Sequence, residues 1–300
     1  MSNDPKQLSP IAADLSQMQI ALSLPCARCG YELRELAADG DCPECSEPIR
    51  LTIIEVIDPS SRRMKPIHNP KIVGNYLTAV VLFFFLAVMS AVLAMLSKSP
   101  NSLPVPDFVH TTPANSLVWV SSFLSIVAIV CLAPIMKMCK ISELVGCRKG
   151  IVLTFFGLCF WAISMSAISF VLLLGSTKST TVTMLLDTCV PAIAAGVVFT
   201  GFKNLVPRLG QRSRAFRQAQ GSRQRMNDLL AALAVVIVGR TMLGASLPDS
   251  NLSLLGLIIM VMSISLIVIG LGYMVRNTIW IRNALITPPP ALLKLLRRIN

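Results

Sequence analysis

Four cysteines in two C-x-x-C pairs, Cys26-Ala27-Arg28-Cys29 and Cys42-Pro43-Glu44-Cys45, carry the clearest chemistry in this chain. Each pair makes a tight turn that aims two thiolates at one point. Two such turns complete a tetrahedral four-sulfur shell around a metal ion. By geometry alone that shell suits zinc and iron about equally. Twelve residues separate Cys29 from Cys42, enough for one short hairpin between the turns. Gly30 follows the first pair, where a residue without Cβ takes up positive φ. Tyr31–Leu36 and Ile49–Ile57 read as short strands, the second because Ile49, Leu51 and Ile53 alternate with Arg50 and Thr52. So small a unit buries too little apolar surface to fold unaided, and the metal is expected to supply much of its stability.

The run Cys26-x-x-Cys29-Gly30-Tyr31-x-Leu33-Arg34 followed by Cys42-Pro43-Glu44-Cys45 resembles a zinc ribbon. More closely, it is similar to a four-cysteine zinc ribbon found at the N-terminus of uncharacterised bacterial multi-pass membrane proteins. The resemblance spans Pro25–Ile49 and implies a small β domain holding Zn2+ through Cys26, Cys29, Cys42 and Cys45. This chain has Ser46 where the family usually has glycine, which alters the second turn and leaves the ligands intact. The paired turns are also similar to those of rubredoxin, which makes iron the alternative ion; rubredoxins carry a much longer insert between the pairs. Many ribbons bind nucleic acid, but Pro25–Asp58 has three basic residues against eight acidic ones. Phosphate recognition needs clustered positive charge. No nucleic-acid partner is therefore expected, and a protein contact or a purely structural role is.

A second constellation lies inside apolar sequence. Asp187 and Arg240 sit at similar depths in two consecutive apolar stretches. An isolated charge there is costly, and a facing pair offsets much of the cost. The pair is read as an interhelical clamp, or as Arg240 snorkelling outward to headgroups, with a substrate or proton site as the functional alternative. No G-x-S-x-G turn, H-E-x-x-H helix or Walker loop occurs, so no enzymatic activity is expected.

Positioning these residues falls to a strongly apolar chain: 54% apolar residues, 14% charged, and a mean hydropathy of +0.67 over 300 residues. A soluble domain carries about 25% charged residues. Six stretches reach the roughly 20 residues needed to cross a bilayer: Gly74–Leu96, Leu117–Met136, Gly150–Leu174, Val182–Phe202, Leu229–Leu247 and Leu252–Val275. Ala192 and Gly196 offer one of them a small-residue stripe for close helix approach, and Pro134 is expected to kink or end the second. The connecting loops alternate between rich and poor in Lys and Arg, with Lys203–Asp228 the most basic. By the positive-inside rule both termini are cytoplasmic. A reducing cytoplasm favours metal ligation over disulfides.

The expected fold is thus an all-α membrane bundle of six transmembrane helices with a small N-terminal β zinc-ribbon domain. Its expected parts are a flexible segment at 1–24, the ribbon at 25–58, a basic linker at 59–73, the transmembrane domain at 74–275 and a basic cytoplasmic tail at 276–300. A brief helix is expected over Pro10–Ser23, Ala291–Arg298 is read as lying at the membrane surface, and no internal repeat is evident. Its expected place is the bacterial cytoplasmic (inner) membrane, with basic loops touching anionic lipid headgroups. Its expected function is that of a multi-pass membrane protein whose ribbon is a structural or protein-interaction module. The alternative is a small transporter or channel using the Asp187/Arg240 region, regulated by the ribbon.

Overall fold

A computed structural model of the chain describes residues 15–57, 67, 69–97, 113–141, 147–173, 180–219, 225–245, 251–287 and 292–298. The chain divides into two compact units, Met1–Met64 with Thr287–Asn300, and Lys65–Ile286. Much of the expected linker, and the start of the helix expected from Pro10, lie outside the described residues.

The first unit departs from the expected β domain. After a 3-10 turn at Leu15–Gln17, strand β1 (Met18–Ile20) pairs antiparallel with β2 (Leu296–Arg298), in the register Met18↔Arg298 and Ile20↔Leu296. The tail therefore forms part of this unit instead of lying as a surface segment. On its other side β1 bonds to the chain around Leu36, through Ile20 N to Leu36 O at 3.0 Å and Ala38 N to Met18 O at 2.8 Å. No strand forms over Tyr31–Leu36, where Glu35 takes φ 67° and breaks the extended run. Ile49–Ile57 is not a strand either: Ile49–Val56 is an α-helix, α1. Its buried residues are Ile49, Thr52 and Ile53. That is helical spacing, which five alternating residues could not exclude.

The second unit holds six helices long and apolar enough to cross a membrane. They are α2 (Pro70–Ser97), α3 (Ala114–Ile141), α4 (Arg148–Leu173), α5 (Thr180–Gly210), α7 (Met226–Ala245) and α8 (Asn251–Ile286), with a short α6 (Arg214–Gln218) between α5 and α7. Helices satisfy every interior backbone group within themselves, which hydrocarbon demands. Several outrun their expected bounds. α5 continues past Phe202 to Gly210, so Lys203 and Arg208 are helical and not in a loop. α8 runs to Ile286, about 54 Å at 1.5 Å per residue, against a hydrocarbon core of about 30 Å. Its extension carries Arg276, whose guanidinium carbon lies 4.9 Å from the Tyr273 ring centre and 4.7 Å from that of Trp280. Pro134 lies within α3, which continues to Ile141.

The six long helices form a closed ring, each packing on the next in chain order and α8 returning to α2. At its centre Phe84 of α2 meets Trp161 of α4 edge-on at 5.5 Å, with Phe199 and Phe202 of α5 at 6.0 and 6.1 Å. Serines tie α2, α3 and α4 together: Ser121 Oγ donates to Ala87 O at 2.7 Å and accepts Trp161 Nε1–H at 3.1 Å, and Ser90 Oγ donates to Leu117 O at 2.7 Å. α4 and α5 approach closely at Gly157 and again at the facing pair Gly150 and Gly201, and not at the expected Ala192/Gly196 stripe. A Cβ on Gly196 would meet only leucine side chains, near 4 Å. A Cβ on Gly157 would lie 2.7 Å from Val198 N.

Gly157→Val is accordingly expected to separate α4 from α5 and lower stability by roughly 1–3 kcal/mol, the usual cost of overpacking. Gly196→Ala should be nearly neutral. Thermal unfolding of the two variants in detergent checks the contrast.

Candidate metal centre and intramembrane ion pair

The two cysteine pairs are built by the same backbone device, repeated 16 positions apart. In the first turn Cys26 N donates to Tyr31 O at 2.7 Å and Gly30 N to Cys26 O at 2.9 Å. In the second, Cys42 N donates to Glu47 O and Ser46 N to Cys42 O, both at 2.9 Å. The correspondence reaches further, since Leu33 N bonds Leu24 O and Ile49 N bonds Gly40 O, each at 2.9 Å. Bridges Pro25↔Glu32 and Asp41↔Pro48 close the two loops. Gly30 takes φ 78° and Ser46 φ 55°, so the serine adopts the left-handed conformation its family counterpart leaves to glycine. The module thus contains an internal repeat, against the expectation of none.

The four Sγ atoms lie within 4.8 Å of one another. Cys26 Sγ is 3.6 Å from Cys45 Sγ, and Cys29 Sγ is 3.6 Å from Cys42 Sγ. A disulfide would need about 2.05 Å. A tetrahedral ion about 2.3 Å from each sulfur sets the sulfurs about 3.8 Å apart, so the donor set fits a metal. Cys26 and Cys42 are buried, Cys45 is half-buried and Cys29 faces solvent.

The turns and the crowding of the thiols drive the acidities of Cys26 and Cys45 apart. The N–H groups of Cys29 and Arg28 bring Cys26 down to about 6. The Glu47 N–H lowers Cys45, yet burial and the neighbouring thiols push it up to about 12. Four thiolates this close repel one another, and a dication removes the conflict.

Residues outside the cysteine pairs hold the turns. Glu32 accepts Ser23 Oγ–H at 2.5 Å, Leu24 N–H at 2.8 Å and Arg34 N–H at 3.1 Å, and these bonds hold its carboxyl below the usual range. Thr52 of α1 accepts Ala27 N–H at 3.3 Å, and Arg28 bridges to Glu47 at 3.1 Å. Ile20, Leu24, Leu33, Ala38, Ile49 and Ile53 form the core around Cys26 and Cys42, with Leu295 and Leu296 completing it from the far end of the sequence. The equal seven-residue spacing from Cys26 to Leu33 and from Cys42 to Ile49 was the readable signal for the repeat. Nothing local marked Leu295 or Leu296.

In the second unit Arg240 of α7 donates to Asp187 Oδ1 of α5 at 3.3 Å, and Thr188 Oγ1 donates to the same oxygen at 3.0 Å. The structure brings together the two charges singled out in the sequence. Their side chains are 15% and 30% exposed for Arg240 and Asp187 respectively. Cys131, Cys147, Cys159 and Cys189 belong to this unit and join no metal-ligating cluster among the described residues.

Two measurements follow from this geometry. A Cβ on Gly30 would touch nothing within 4 Å, so Gly30→Ala probes backbone strain alone. It should weaken metal retention by about 1 kcal/mol, and Ser46→Gly should strengthen it by a similar amount. Competition with a chelator reads both, and Cys42→Ser should abolish retention. For the ion pair, Asp187→Asn and Arg240→Gln should each cost about 2 kcal/mol, below the roughly 3–5 kcal/mol of a fully buried pair. The double variant should cost less than the two singles together, as a double-mutant cycle on thermal unfolding would report.

No protein-family model matches the chain, and neither a curated protein nor a solved structure matches it.

Proposed function

We propose that this is a multi-pass membrane protein whose four-cysteine module holds a structural zinc ion and fastens together the segments that precede and follow the six long helices. The observation that carries this reading is the shared core: Leu295 and Leu296 belong to the same buried cluster as Cys26 and Cys42. Four cysteines satisfy a tetrahedral ion completely, and a catalytic zinc needs an open position. The module is therefore assigned no enzymatic role. Its net negative charge over Pro25–Asp58 argues against nucleic acid and leaves protein contact as its use beyond stability.

Placement follows from charge. Within the six-helix unit, contacts such as Gly74 with Arg282, and Gly150 with Gly201, set the start of α2 beside the end of α8 and the start of α4 beside the end of α5. That end of the ring carries Lys71, Arg148, Lys149, Lys203, Arg208 and Arg282. Basic residues on one end mark the cytoplasmic face of a bacterial inner membrane, where they meet anionic headgroups. An even number of crossings returns the chain to that face, as a core built from both flanking segments requires.

The test uses full-length protein in nanodiscs. Elemental analysis should give one zinc per chain. Leu295→Glu, or deletion of 292–298, should speed zinc loss to a chelator at least tenfold, and chelation should raise amide exchange at Ile20 and Ala21. Iron with visible absorption would instead favour a rubredoxin-like redox centre. Zinc retention indifferent to both tail variants would overturn the fastening role.

A further inference from the structure

The ring of helices is not filled throughout. A cavity of about 100 Å³ lies inside it, walled by residues from all six long helices, among them Val88, Val118, Trp161, Ala195, Val236 and Ile267. With all six long helices contributing to its wall, the space belongs to the bundle as a whole and is more than a crevice between two neighbours; it is partly open and not sealed. Asp187, Thr188 and Pro191 also line it, so the intramembrane carboxylate borders an otherwise apolar chamber.

The polar group on that wall is half used. Asp187 Oδ1 accepts from both Arg240 and Thr188, while Oδ2 makes no hydrogen bond among the described residues. Arg240 already balances the carboxylate charge, and a further charged group would add a desolvation cost with no counter-ion to meet it. The wall therefore offers one strong acceptor to a neutral donor. Trp161 offers no competing donor, its indole N–H being committed to Ser121. A cavity of about 150 Å³ takes up benzene, so this chamber has room for roughly four or five carbon atoms.

We infer that this chamber is a binding site for a small neutral amphiphile, a short hydrocarbon body bearing one hydroxyl or N–H that donates to Asp187 Oδ2. Apolar sites with a few placed polar groups bind ligands this way: area supplies affinity, and the acceptor supplies orientation and choice. Discrimination follows from the same carboxylate. A ligand without the donor leaves Oδ2 facing hydrocarbon, where an unmet acceptor is penalised. The site depends on neither the metal nor the orientation of the protein in the bilayer.

The experiment uses full-length protein in nanodiscs and a four-carbon diazirine alcohol as the probe. Photolabelling is mapped by mass spectrometry. Labelling should saturate on the Asp187–Ala195 and Trp161–Met165 stretches. Excess 1-pentanol should suppress it at least fivefold more effectively than pentane at the same concentration. Asp187→Leu should erase the preference for the alcohol while leaving hydrocarbon competition, and Ala195→Phe should remove saturable labelling by filling the chamber. Labelling that rises linearly with probe, or that spreads equally to outward-facing Phe123 and Phe156, would mean lipid-like partitioning only and would overturn the inference. Equal competition by pentanol and pentane in the unmodified protein would refute the role of Asp187, whether or not either variant folds.

Discussion

The burial of Leu295 and Leu296 in one core with the cysteine turns is the constraint on which the N-terminal unit rests. It joins residues separated by the whole apolar part of the chain into one small core. A module of this size cannot gather enough hydrophobic surface from a continuous segment. Here the shortfall is met from two sources, a donor set that fits a metal and a strand supplied from beyond the last long helix. The two-stranded sheet exists only because both segments are present, since β1 finds its regular strand partner in β2.

The helical unit solves a different problem with different means. In hydrocarbon, apolar side chains gain little by leaving lipid for protein, so helices associate through close fit and buried polar contacts. Gly157 allows α4 and α5 to approach closely, while Ser90, Ser121 and Trp161 link three helices by hydrogen bonds. The Asp187/Arg240 contact belongs to the same repertoire, holding α5 to α7 where neither charge could be left alone.

Much of this was legible in the sequence, and the failures have physical causes. The cysteine quartet announces itself because the spacing of its members is a local property. The long apolar helices do likewise, because hydropathy is summed over many residues. Asp187 and Arg240 could be paired since two charges at matched depth in hydrocarbon have few other ways to be satisfied. By contrast Ile49–Val56 was misread because so short a segment holds too few periods to separate a repeat of about 2.0 from one of about 3.6. The fate of Leu292–Arg298 was hidden for a stronger reason: its partner strand lies at the opposite end of the chain, and nothing in its own composition names that partner. The chamber inside the ring was equally invisible, because it is defined by six helices at once and by what none of them fills.

The discontinuous core has a consequence for biogenesis. Translation delivers the cysteine pairs before the six long helices and the residues that complete their core after them. The early segment must therefore wait, incompletely covered, while the apolar helices are synthesised and integrated. Maturation of the module in this way waits for Leu295 and Leu296, and a nascent chain stalled within α8 would present the cysteine turns without their final cover.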